Sequence, residues 1–232
     1  MVEEENTAVE ATKTKRANGF IVDLDYSLMN LTENLRTIYL KALEDIDCAM
    51  SAEKFISKVY GKKTYTVAED LIKETETEAV DFVADIEKTL DSELADATPV
   101  KLVSSICKKV IPTDMKCVFV TSRAVNIAQQ VIEDLGMDEA LILKADKQDY
   151  LGTYDSDVWA KAANMIHVSP RSCTVLTTPA DSARSAVLLG MHTVALTNSM
   201  LEYQDYSGVD YFGALTDNNA DEIAKCILSF AN

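Results

Sequence analysis

Residues 19–28 read Gly19-Phe-Ile-Val-Asp-Leu-Asp-Tyr-Ser-Leu28. A short apolar run, Phe20-Ile21-Val22, has the composition of a strand buried in a parallel sheet. It ends abruptly in two carboxylates, Asp23 and Asp25. Residues two apart on a strand point the same way. Like charges that close repel one another and shift each other's pKa. The stretch therefore has two readings: a solvated acid pair at a strand end, or a nucleophile with an acid/base partner at the carboxyl edge of a sheet.

Outward from this strand, the chain changes character twice. Residues 1–17 are acidic, then basic (Lys13, Lys15, Arg16), with few large apolar groups, and read as a tail. Their start shows no apolar core of a signal peptide. Residues 31–48 have helical periodicity through Leu31, Leu35, Ile38, Tyr39, Ala42, Leu43 and Ile46. Residues 52–60 and 66–95 continue as helices, with a face dense in Glu, Asp and Lys. After Pro99 helix and strand alternate. Strands are expected at Cys117–Val120, Ala140–Leu143, Cys173–Leu176, Thr193–Leu196 and near Val209–Phe212, with helices between them and a last one at Ala220–Phe230. Gly190 reads as a helix stop. This repetition predicts an α/β fold: a doubly wound parallel sheet with a helical insertion after its first strand. The expected boundaries are 18–29 and 98–232 for the core and 30–97 for the insertion. Ligands in such folds sit beyond the carboxyl ends of the strands. That edge should gather Asp23, Asp25, Thr121, Ser122, Thr177 and Thr178.

The chain has 232 residues and is 47% hydrophobic, enough for one large core. Its 22 Lys and Arg against 38 Asp and Glu give −16. That charge argues against nucleic-acid and anionic-membrane partners, which would repel it. No apolar stretch has the roughly 18–20 residues of a membrane span. The five cysteines, Cys48, Cys107, Cys117, Cys173 and Cys226, form no Cys-x-x-Cys pair. They read as free thiols of a reducing cytoplasm. His167 and His192 have no acid or cysteine at metal spacing, and Trp159 sits on an apolar helix face.

Over residues 18–232 the order of elements and two motifs resemble the haloacid dehalogenase superfamily. The similarity is to its helical-cap subgroup, that of β-phosphoglucomutase and phosphoglycolate phosphatase. The Asp-x-Asp motif matches Asp23-Leu24-Asp25, and the apolar strand ending in Ser or Thr matches Val118-Phe-Val-Thr121. The resemblance implies that Asp23 attacks phosphorus and that Asp25 donates and then accepts a proton. It implies that Thr121 hydrogen-bonds the phosphoryl group and that Mg²⁺ beside Asp23 and Asp25 neutralises charge. A cap then closes to exclude water. The substrate would be a small phosphorylated metabolite. A cap loop at Tyr60-Gly61-Lys62-Lys63 would face the site, so that Lys62 or Lys63 contacts the anion, and Arg123 is a further candidate for positive charge. Lys62 and Lys63 read more simply as solvated loop lysines, and Arg123 reads equally well as a surface residue at a helix start.

Three departures weaken that chemistry. Tyr26 stands where the family has Gly. Thr153 stands where a Lys should screen the nucleophile, unless Lys144 or Lys147 folds back. The strand Cys173–Leu176 ends in Thr177-Thr178 in place of metal-binding acids, with Asp181 one position early. Hydroxyls are poor substitutes for carboxylates around Mg²⁺. Three functions follow: a phosphatase or phosphomutase with weak or lost activity, a non-catalytic binding or regulatory relative, or a metal-independent displacement at carbon. The last is the least supported, because such enzymes usually lack the second aspartate. The sequence sets neither substrate nor oligomeric state.

Overall fold

The computed structural model describes residues 18–138, 140–145 and 151–231. The expected tail at 1–17 and Lys147 lie outside these residues. Strand β1 is Gly19–Asp23, β2 Lys116–Thr121, β3 Leu141–Lys144, β4 Cys173–Thr177, β5 His192–Thr197 and β6 Tyr211–Ala214. All pair in parallel in the order β3-β2-β1-β4-β5-β6. The chain winds outward from β1 through β2 to β3, then crosses back and winds the other way from β4. The switch of direction falls between β1 and β4, where an open parallel sheet splays its connections and leaves a crevice.

Alternation along β1 divides the core. Phe20 and Val22 face helices α5 (Lys101–Val110), α6 (Val125–Asp134) and α9 (Ala220–Ser229), packing with Val103, Ile132 and Ile223. Ile21 faces α7 (Ser156–Met165) and α8 (Ala180–Leu188), packing with Trp159, Ala163 and Ala186. A period of two with both faces covered is what a fully apolar strand requires.

Between β1 and α5 lie α1 (Thr32–Asp45), α2 (Ala52–Lys58), α3 (Thr64–Ile72) and α4 (Ala79–Asp96). They form a cap with its own apolar centre, in which the Tyr39 ring stacks edge-on against Phe82 at 5.5 Å. The helical run expected over 66–95 is two helices, not one. Thr75 ends the first: its hydroxyl donates to the Ile72 carbonyl at 2.8 Å and accepts the Thr77 N–H at 3.2 Å. Such local side-chain bonds compete with the helix.

The apolar cluster of the cap is continuous with that on the α7–α8 face of the sheet, through Tyr26, Tyr60, Leu151 and Tyr154. Cap and core thus share one interior. No helix of the described residues is long and apolar enough to cross a membrane, and the five cysteines are free.

Candidate functional site

The carboxyl edge is level across three strands. Asp23 pairs in register with Val120, and Val22 with Leu176, so Thr121 and Thr177 flank the end of β1. After Asp23 the chain makes one wide helical turn, Leu24–Leu28, closed by the Met29 N–H on the Leu24 carbonyl at 2.9 Å. Five-residue turns of this kind often mark functional sites. Asp23 caps the turn, accepting the Tyr26 N–H on Oδ1 at 2.8 Å. The turn is buried throughout, and Asp23 and Asp25 are fully buried with it.

Both carboxylates already have their donors. Asp23 Oδ2 accepts the Thr177 hydroxyl at 2.7 Å. Burial, with Asp25 as a neighbouring charge, pushes the Asp23 carboxyl up to about 8 against these hydrogen bonds. Near neutral pH it is largely protonated, and a neutral carboxyl is a poor nucleophile. Asp25 is surrounded more completely. Its Oδ1 accepts the Thr121 hydroxyl at 2.6 Å, and its Oδ2 accepts the Ser122 N–H at 2.9 Å, the Ser122 hydroxyl at 2.8 Å and the Tyr154 hydroxyl at 2.8 Å. The Arg123 Nε lies 3.7 Å from the same oxygen. These are the donors an oxyanion would take, and a side chain of the protein holds them.

Arg123, only 3% exposed, also ties core to cap. Its guanidinium meets Glu87 Oε2 of α4 at 2.6 Å, with Asp91 at 3.9 Å, while the Ala124 N–H donates to Asp91 at 3.2 Å. Burial opposes its charge, but Glu87 and Asp25 more than offset that and its pKa is raised. A second tie lies opposite. The Gly61 N–H donates to the Leu151 carbonyl at 2.8 Å and the Leu151 N–H to the Lys62 carbonyl at 2.8 Å, while the Tyr60 hydroxyl donates to the Gly152 carbonyl at 2.8 Å. Gly152 has φ +76°, and a Cβ there would lie 2.3 Å from the Tyr60 ring, so only glycine fits.

Between the two ties the mouth is filled. The Tyr26 and Tyr154 rings pack at 5.8 Å, and Tyr154 packs against Trp159 at 5.4 Å. The remaining cavity, bordered by Tyr26, Thr64, Ser122, Arg123, Thr153 and Tyr154, is about 10 Å³, the room one water needs.

The structure thus brings Asp23, Asp25, Thr121, Ser122, Arg123 and Thr177 together. Thr178 is beside them but turned away: its hydroxyl donates to the Leu196 carbonyl at 2.7 Å and lies 3.0 Å from the Ser27 hydroxyl. Lys62 and Lys63 are exposed and do not border the cavity; the loop reaches the core through its backbone and Tyr60. Lys144, at the end of β3, is exposed too. Asp181 is exposed on α8, with Arg184 at 3.9 Å. Sequence reading missed Tyr154, and named Tyr60 only as part of a loop whose lysines were the candidates. Tyr154 adjoins Thr153, the position already singled out, and its neighbourhood was the available signal.

The donor set does not suit Mg²⁺, which demands about six oxygen ligands and favours anionic ones. Both oxygens of Asp23 are engaged, by the Tyr26 N–H and the Thr177 hydroxyl, those of Asp25 by four donors, and positions 177 and 178 present hydroxyls. Among the described residues, no three or more His, Cys, Asp or Glu side chains are placed to hold a metal ion.

No protein-family model and no curated protein sequence matches the chain. Solved structures do. A HAD hydrolase of family IA, variant 3, from Entamoeba histolytica aligns with TM-score 0.70 at 14% identity, over 91% of this chain and 99% of that one. A β-phosphoglucomutase from Clostridium difficile aligns with TM-score 0.68 at 15% identity, over 92% of this chain and 98% of that one. CbbY from Rhodobacter sphaeroides, in complex with xylulose 1,5-bisphosphate, aligns with TM-score 0.68 at 10% identity, over 84% of this chain and 93% of that one. At such identities the likeness is one of fold, and the fold is that of the capped haloacid dehalogenase superfamily.

Proposed function

Taking the capped haloacid dehalogenase fold as its premise, we propose that this protein is a non-catalytic binding or regulatory relative within that fold. Its ancestral activity was that of a phosphatase or phosphomutase on a small phosphorylated metabolite, and the activity has been lost. The observation that carries this reading is the engagement of Asp25: the Thr121 hydroxyl, which the family resemblance assigns to a phosphoryl group, is bonded to a carboxylate of the chain itself. The roughly water-sized cavity left beside it supports the same reading. A phosphoryl group entering there would have to displace Tyr154, Arg123 or the Asp25 carboxylate, each buried and hydrogen-bonded.

The remaining chemistry argues alike. Attack by Asp23 requires its ionised form, which burial disfavours. Ionising it beside Asp25 puts two like charges in one chamber, and the residues at 177 and 178 supply no carboxylate to hold a compensating cation. Electrostatic stabilisation is usually the largest catalytic term, and the Arg123 cation beside the pair is already engaged by Glu87 and Asp25. Displacement at carbon would need the same ionised Asp23 and the same space. The free cysteines fit a reducing compartment such as the cytoplasm.

The test is hydrolysis of an aryl phosphate, with and without Mg²⁺, by the wild type and by Asp23→Asn. Both proteins should remain at the uncatalysed background. Mg²⁺-dependent turnover in the wild type that disappears in Asp23→Asn would restore the phosphatase reading.

A further inference from the structure

The outer face of the cap carries a groove between α1 and α4 that no part of the site uses. The two helices run antiparallel, with Asn34 near the start of α1 donating to Glu93 near the end of α4 at 3.0 Å. The cavity between them is about 310 Å³. Its floor is apolar: Ile38, Ala42 and Ile46 from α1, and Phe82 and Ile86 from α4. Ile38, Ala42 and Ile46 lie four residues apart and are half-buried, so α1 offers one straight apolar ridge, while Phe82 and Ile86 are buried beneath it and only floor the groove. Ile38 to Ile46 spans eight residues, about 12 Å of helix. The rim is acidic, with exposed Asp45, Asp81 and Asp85 against the one Lys41, whose Nζ is 3.2 Å from Asp45.

We propose that this groove docks an amphipathic helix of a partner protein, apolar on the face that enters and basic along its flanks. A half-buried apolar ridge on α1 beside a groove flanked by the exposed acids of α4 is a surface onto which a third helix can pack. The rim selects its charge. Residues 30–97 carry 16 Asp and Glu against 8 Lys and Arg, half the net charge of the whole chain. A cation-flanked helix is drawn to such a surface, and a second copy of this chain, itself at −16, is repelled. The inference stands apart from the sealed cleft: a chain that hydrolysed phosphate esters would keep the groove.

The probe is a synthetic Leu/Lys peptide of roughly three helical turns with the apolar residues on one face. Its control has the same composition in alternating order. Binding to the full chain is followed by calorimetry and by amide shifts. The facial peptide should bind one to one, move the amides of α1 and α4, and bind at least roughly tenfold more weakly to the exposed-site variant Asp81→Lys/Asp85→Lys. Equal binding of the alternating peptide, or unchanged affinity in that variant, overturns the proposal. So does stronger binding once residues 1–17 are deleted, which would make the chain's own terminus the occupant. A dimer dissolved by Ala42→Glu would make the occupant a second copy, and overturns it as well.

Discussion

The Thr177 hydroxyl at the end of β4 lies 2.7 Å from Asp23 Oδ2 at the end of β1 and holds that carboxyl in place. A hydroxyl can donate to a carboxylate or accept from a carboxylic acid, and it tolerates both forms of Asp23.

That tolerance yields a stability profile. The Asp23 carboxyl is raised to about 8 in the folded chain and sits near 3.9 when unfolded. Between those values the folded state holds a proton that the unfolded state has lost. The stabilisation is therefore whole below about pH 4, falls as pH rises, and is gone above about pH 8. The loss over that whole window should be on the order of 5 kcal/mol. Asp23→Asn keeps an acceptor for the Tyr26 N–H and offers a donor to Thr177 without a proton to lose. Urea unfolding from pH 5 to 8 should show a flatter profile for the variant and higher stability than wild type at pH 8. Parallel profiles for the two proteins would contradict the assignment.

Arg123→Met should cost about 3–5 kcal/mol, because it strands Glu87 and leaves Asp25 without its nearby cation in a dry interior. Adding Glu87→Leu should recover part of that loss. A double-mutant cycle should give a coupling above about 1 kcal/mol. Additive effects would mean that the 2.6 Å contact between core and cap carries no stability.

Gly152→Ala should cost about 2–4 kcal/mol, from both the left-handed backbone and the clash with Tyr60. In a Tyr60→Ala background the clash disappears and only the backbone part, about 1 kcal/mol, should remain. An unchanged penalty in the double variant would remove Tyr60 as the cause.

Millimolar Mg²⁺, or its removal with a chelator, should leave the thermal midpoint of the wild type unchanged. A ligand that binds only the folded state must raise that midpoint. A rise that grows with Mg²⁺ concentration and vanishes in Asp25→Asn would show that the acid pair takes the ion after all.

The strands were legible along the chain because each β-strand of a doubly wound sheet is a short apolar run between helical periods, whereas their order in the sheet was not. The placement of Asp23 and Thr121 at the sheet edge was legible because each terminates such a run, and Asp25 follows two residues later in the turn. The break at Thr75 was not, since Lys73 to Glu78 keeps a polar, helix-compatible composition and the stop comes from side-chain bonds to the backbone. The roles of Tyr60 and Tyr154 were hidden for another reason. The two side chains lie 94 residues apart in the chain and meet the site only through tertiary contacts, Tyr60 on the Gly152 carbonyl and Tyr154 on Asp25. Lys62 and Lys63 looked inviting because charge near a cleft suggests a ligand. The loop instead spends its backbone on Leu151 and leaves both ammonium groups in water.

The ring of Tyr26, seated in the turn after β1, makes the order of changes matter at this site. An acid introduced at 177 or 178 alone would join Asp23 and Asp25 in a chamber with room for about one water. Shrinking the tyrosine alone would open a hole against Tyr154. Each change would cost stability by itself, so a third carboxylate becomes tolerable here only when both are made together.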